Sequence, residues 1–101
     1  MTEEQKKKEA NNVVFIGAKP FMNYVTSVVM QFTLRQNKEV AIKARGKFIN
    51  RAVDVEEVVR KKFLKDKNID LKDINIGSEE LENKEAKKIN VSTIEITLTK
   101  K

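Results

Sequence analysis

The sequence predicts an α+β fold of order β-α-β-α-β-β, a two-layer sandwich whose mixed four-stranded sheet carries both helices on one face and extends into a hairpin arm. Three observations carry this. A chain of 101 residues buries only about 60% or slightly more of its unfolded surface, which supports one core and not two. Two stretches repeat apolar residues at helical spacing. Around them lie four shorter runs, continuous or alternating, of β type. With hydrophobic residues at 40% and charged ones at 36%, the chain is rich enough in apolar side chains to fold.

The elements follow in order. Residues 1–11 hold Lys6, Lys7 and Lys8 among Glu3, Glu4 and Glu9 without apolar periodicity, and read as a mobile tail; residues 12–101 read as one domain. Val13 to Ile16 is a continuous apolar run stopped by Gly17, which suits a buried strand, and Pro20 suits the first position of a helix. Phe21, Val25, Val28, Val29 and Phe32 draw its apolar stripe, with Asn37 as its end. Val40, Ile42 and Ala44 alternate with Ala41, Lys43 and Arg45, so a second strand sets two cations on one face before Gly46 breaks it.

From about Lys47 a second helix places Ile49, Ala52, Val53, Val59 and Phe63 on one stripe, with Glu56 to Arg60 and Glu57 to Lys61 as favourable pairs. The last third reads as a long hairpin with its tip between Gly77 and Lys88. Its apolar residues change phase in both strands, from Ile69 and Leu71 to Ile74 and Ile76, and from Ile89 and Val91 to Ile94, Ile96 and Leu98. A double phase change points to a bulge or a marked twist where an arm leaves the body.

The absence of Cys and His removes thiol nucleophiles, imidazole bases, disulfides and the usual zinc sites, so no metal and no cofactor is expected. The close carboxylates Glu56 with Glu57 and Glu79 with Glu80 read as exposed helix and hairpin residues, so no catalytic residue and no small-molecule substrate is expected either. No apolar run approaches the ~18 residues of a membrane span, and the polar start lacks a signal-peptide core, which leads to a soluble, intracellular expectation with no membrane partner.

The formal charge of +6 is unevenly spread. Residues 13–67 hold twelve basic and five acidic side chains, whereas the flanking parts are close to balance. Such asymmetry is the footprint of a polyanion-binding face, and also one way of staying soluble. Lys43, Arg45, Lys47 and Arg51 fall within a window, Val40 to Val53, that has no acidic residue. Arg suits bidentate phosphate contacts, Lys supplies point charge, and Gly46 lets backbone N–H groups approach an anion. Lys19 stands at a helix N-terminus, where a bound anion is favoured and a fixed cation is not. At the arm tip Lys84, Lys87 and Lys88 could point into a groove, although Glu79, Glu80, Glu82 and Glu85 outnumber them.

The runs NVVFIGAKPFMNYV (12–25), AIKARGKFINRAVDVEEVVRKKFL (41–64) and VSTIEITLTKK (91–101) together resemble the archaeal chromatin protein family Alba. The match covers nearly everything after residue 11, in three separated blocks. The resemblance implies an Alba-like fold, a homodimer with two arms reaching along DNA, and a cytoplasmic, chromosome-associated location. It implies phosphate contacts at Lys19, Lys43, Arg45 and Lys47, with Asn12 and Tyr24 as further contacts, and a dimer–dimer contact at Phe63. Ala18 stands where many members carry the first lysine of Lys-Lys-Pro, which weakens the case for acetyl control there. The acidic arm is a second departure.

Double-stranded DNA is therefore the expected partner, bound by a dimer through phosphates, with compaction of the chromosome and higher assembly on DNA as the expected outcome. RNA is the alternative within the same family, and an assembly module whose basic face meets an acidic protein is an alternative from another class.

Overall fold

The computed structural model describes residues 12–101, so the expected tail lies outside the described residues. The elements are β1 (Val13–Phe15), α1 (Phe21–Thr33), β2 (Glu39–Arg45), a 3₁₀ turn (Gly46–Phe48), α2 (Ile49–Val58) continuing as a π turn (Val59–Phe63), β3 (Ile69–Glu82) and β4 (Lys88–Lys100). The strands lie in the order β1-β2-β4-β3. β1 is parallel to β2 and the other pairings are antiparallel, which gives the mixed sheet the alternation predicts.

Period-two alternation sorts every strand. Val40, Ile42 and Ala44 of β2, Ile96 and Leu98 of β4, and Val14 and Ile16 turn inward onto Val25, Val28 and Phe32 of α1 and Ala52, Val55 and Val59 at α2. Among the described residues the opposite face carries no helix. Across it Phe15, Lys43, Glu95 and Asn75 stand in register, one from each strand. β1 is thus an edge strand and not fully buried: Val14 and Ile16 are buried, but Phe15 is 67% exposed on the uncovered face.

Both helices depart from the expected stripes. α1 ends at Thr33, before Asn37, because Gln36 takes a left-handed φ of 58°. Asn37 then folds back, its amide donating to Gln31 Oε1 at 2.7 Å, which satisfies a buried polar group. Tyr24, one position before the expected Val25, is buried as well. At the end of α2 the N–H of Leu64 donates to the carbonyl of Val59 at 2.9 Å, five residues back. That wider turn brings Leu64 into the core, 3% exposed, and turns Phe63 out, 53% exposed. Phe63 is not core, and Val53 is not either: Val55 and Glu56 take the inward positions.

Glu56 corrects the expectation of an exposed carboxylate pair. It is 3% exposed and accepts the Arg60 guanidinium, while Glu57 holds both Arg60 at 2.8 Å and Lys61 at 3.2 Å. Burial pushes the Glu56 carboxyl above its ordinary range, and a hydrogen bond with Glu57 adds to the rise against the pull of Arg60. Glu57 moves down, through its bond with Glu56 and then through Lys61.

The hairpin resolves its two phase changes differently. β3 has a bulge between Leu71 and Asp73, which returns Ile74 and Ile76 to the face already held by Ile69 and Leu71. From Ile69 to Ile76 its apolar side chains therefore keep one face. β4 keeps an unbroken register, so Val91 and Ile89 do lie on the opposite face from Ile94. Pairing continues to Glu82 opposite Lys88, leaving a tip of residues 83–87 that is shorter than expected. The Asn83 side-chain oxygen organises it, accepting the N–H groups of Glu85 at 2.9 Å and Lys87 at 3.0 Å. On the edge strand Leu71, Ile74 and Ile76 remain 40%, 49% and 80% exposed, an apolar row that nothing among the described residues covers.

Candidate nucleic-acid interface

Because β1 and β2 are parallel, they end on the same side of the sheet, and the turn after each leads into a helix there. This is the place where open α/β layers expose helix N-termini to a ligand. The first turn, Gly17 to Pro20, carries exposed Lys19; the second carries exposed Arg45 and Lys47 around Gly46, whose φ of +61° suits a residue without a side chain. Neither helix nor the 3₁₀ turn has an acidic residue in its first turn or a side-chain cap, so the amide dipoles there are not neutralised by the protein.

Arg51 ties the two turns together. Its Nη1 donates to the carbonyls of Lys19 and of Gly17, the latter at 3.4 Å, and its guanidinium lies 6.0 Å from the centre of the Tyr24 ring. Tyr24 completes the support from below: its hydroxyl oxygen accepts the Lys19 N–H at 2.9 Å. A Cβ on Gly17 would meet that hydroxyl at 3.4 Å, an ordinary contact, so the turn lies directly against Tyr24. Both side chains hold the first turn in place, and neither is spread on the surface as a simple phosphate contact would be.

The remaining cations are less free than the sequence implies. Lys43 Nζ sits 5.8 Å from the centre of the Phe15 ring, and Lys47 Nζ 5.5 Å from that of Phe48, within cation–π range. Arg45 Nη1 lies 2.7 Å from Glu79 Oε1, an exposed pair that joins β2 to the root of the arm. The reason is register. Arg45 stands opposite Thr93, which stands opposite Gly77, and Glu79 is the next residue on that face of β3.

Lys19, Arg45 and Lys47 thus gather at one end of the sheet, with Lys43 beside them on the open face. Asn12 lies apart, at the other end of β1, where its carbonyl accepts the Ala41 N–H at 2.8 Å. Lys84, Lys87 and Lys88 cluster separately at the tip of the arm. Sequence reasoning missed Glu79 as the partner of Arg45, which no local signal reveals, and it missed the burial of Tyr24, which its place three residues after Phe21 foreshadows. Among the described residues no group of carboxylates is arranged to hold a metal, and no helix is long and apolar enough to cross a membrane.

Known proteins place this arrangement in context. The family model for Alba matches residues 12–78. The DNA/RNA-binding protein Alba 1 of Archaeoglobus fulgidus is 53% identical over 92 residues, spanning 91% of this chain and 99% of its own. The DNA/RNA-binding protein Alba of Methanococcus maripaludis is 49% identical over 90 residues, 89% of this chain and 99% of that one. These relatives are named for nucleic-acid binding and not for a reaction. Among solved structures, Alba from Thermoplasma volcanium superposes with a TM-score of 0.80 at 45% identity, covering 88% of this chain and all of that one. ALBA1 from Trypanosoma brucei gives 0.65 at 28% identity, covering 89% and 69%. From the sheet order to the Lys19 and Arg45 turns, and on the strength of these matches, the chain belongs to the Alba family.

Proposed function

We propose that this protein binds double-stranded DNA as a homodimer, mainly through phosphates, and organises the chromosome with which it associates. The observation that carries the reading is the pair of turns at the ends of β1 and β2, locked together by Arg51 and free of acidic residues from Val40 to Val53. Lys19, Lys43, Arg45 and Lys47 supply the charge, and two uncapped helix starts add amide donors. Contacts of this kind grip the backbone without reading bases.

The dimer rests on the exposed row Leu71, Ile74 and Ile76 along an edge strand, a surface that a second copy would cover. Two arms then reach along the duplex, with Lys84, Lys87 and Lys88 toward its flanking grooves and Asn12 as a further contact. Phe63, exposed beyond the π turn, is the contact between neighbouring dimers. RNA is the second reading, supported by the DNA/RNA-binding names of the relatives.

A titration of labelled duplexes across a salt series tests this. Four cations per subunit on phosphates give a log-log slope of roughly −7 per dimer. A slope near zero removes the phosphate mechanism, and competition between duplex DNA and folded RNA of equal length decides the preferred acid.

A further inference from the structure

The sheet face opposite the two helices carries a feature of its own. Phe15, Lys43 and Arg45, Thr93 and Glu95, and Asn75, Gly77 and Glu79 line a shallow cavity of about 380 Å³ on that face. Its size falls within the usual range for a small-molecule pocket. One wall is the Phe15 ring, 67% exposed between Val14 and Ile16, which turn inward. Gly77 leaves part of the floor without a side chain, and Arg45 is among the lining residues.

The chemistry of this pocket differs from that of the phosphate-gripping end. Lys43 and Arg45 are matched by Glu79 and Glu95, so the walls offer no net attraction to a polyanion. What they offer is an aromatic face, carboxylate acceptors, an amide and a hydroxyl. That set complements an uncharged aromatic ring bearing N–H donors, which is a nucleobase, with its phosphate directed to the cations at the rim. A base inside a duplex is stacked on its neighbours and cannot present its face to a ring on the protein.

We infer that the open sheet face, centred on Phe15, binds an unpaired base of single-stranded nucleic acid, a site separate from the duplex-gripping turns. The inference rests on the nucleic-acid reading above; it shares Lys43 and Arg45 with that site and adds Phe15, Asn75 and Glu95. Phe15 stacks the base; Glu95 and Asn75 meet its edge; Lys43 serves both surfaces.

The test is fluorescence anisotropy with a short labelled purine-rich RNA strand, the same strand in DNA, and a DNA duplex of equal length, on the full chain and on Phe15→Ala and Phe15→Tyr. Stacking on one ring predicts that Phe15→Ala weakens single-strand binding about tenfold, that Phe15→Tyr restores it, and that duplex affinity stays within about twofold. If Phe15→Ala leaves single-strand binding unchanged, or weakens both forms alike, the site is wrong. If Phe15→Ala changes the mass of the particle in light scattering, a second copy of the chain covers this face and the inference falls. If the parent protein ignores duplexes yet binds single strands through Phe15, the duplex reading fails and this site stands.

Discussion

Arg45 meets a phosphate only by sharing or leaving Glu79. Both side chains of that pair are about half exposed, 56% and 52%, so the pairing is weak, in the range of about 0.2–1 kcal/mol. Weak is still enough to matter for binding. Glu79→Gln should strengthen duplex binding about two- to fivefold at low salt, with the gain shrinking as salt rises; an unchanged affinity in the same titration would mean that the pair does not compete. The sequence made Arg45 legible, because its window lacks acid, but it hid Glu79, whose approach depends on the register of two strands and a bulge.

Glu56 and Glu57 make a second residue-scale case, in which pH is the probe. The raised carboxyl of Glu56 keeps its proton in the folded state beyond its ordinary value of 4.5. Its contribution to stability is therefore complete below about pH 4.5 and is lost as pH rises through the higher folded value. The lowered carboxyl of Glu57 acts in the opposite window, present above about pH 4.5 and lost as pH falls through its folded value. Glu56→Gln imitates the protonated form, so urea midpoints measured from pH 4.5 to neutrality should become flatter than in the parent. An equal slope in both proteins would assign the pH dependence elsewhere.

At the scale of elements, helical spacing located both helices and the alternating runs located the strands. The inner faces of β2 and of α1 follow from the pattern almost residue by residue. The pattern failed where a local geometry departed from its assumed period: at the π turn, which moves Phe63 out and Leu64 in, and at the bulge near Lys72, which cancels the phase change in β3. A sequence states spacing but not turn width. Stability measurements separate the two readings of α2. Leu64→Ala should cost about 2–4 kcal/mol in urea denaturation, as for a buried leucine, whereas Phe63→Ala should cost under about 1 kcal/mol in the dilute protein. The reverse order would return Phe63 to the core. With the fold intact, Phe63→Ala is expected to lower cooperativity on long DNA more than affinity for a single site.

On the scale of the whole molecule, the long axis of 48 Å against 30 and 24 Å reflects an arm that leaves the packed body. Among the described residues one face of the sheet is covered by helices, the other is open, and the apolar β3 edge pairs with β4 alone. The proposed dimer follows from that edge. Ile76→Asp, at the most exposed position of the row, should shift the protein from dimer toward monomer in light scattering while its circular dichroism stays native. A dimer that survives this change must be held by another surface. The gathering of cations at the ends of β1 and β2 was readable from charge alone, but the bridging role of Arg51 was not, since it depends on two turns meeting across the sheet.

The π turn at Val59–Phe63 bears on the molecule in another way. Such a turn is what remains when an α-helix takes in one surplus residue without giving up either end. Removing a single position from the Arg60-Lys61-Lys62 stretch would delete no apolar side chain. It would turn the wide turn back into an ordinary one, with Leu64 four residues after Val59 and still in the place it fills now. In this stretch the number of residues, and not their kind, decides how wide the turn is.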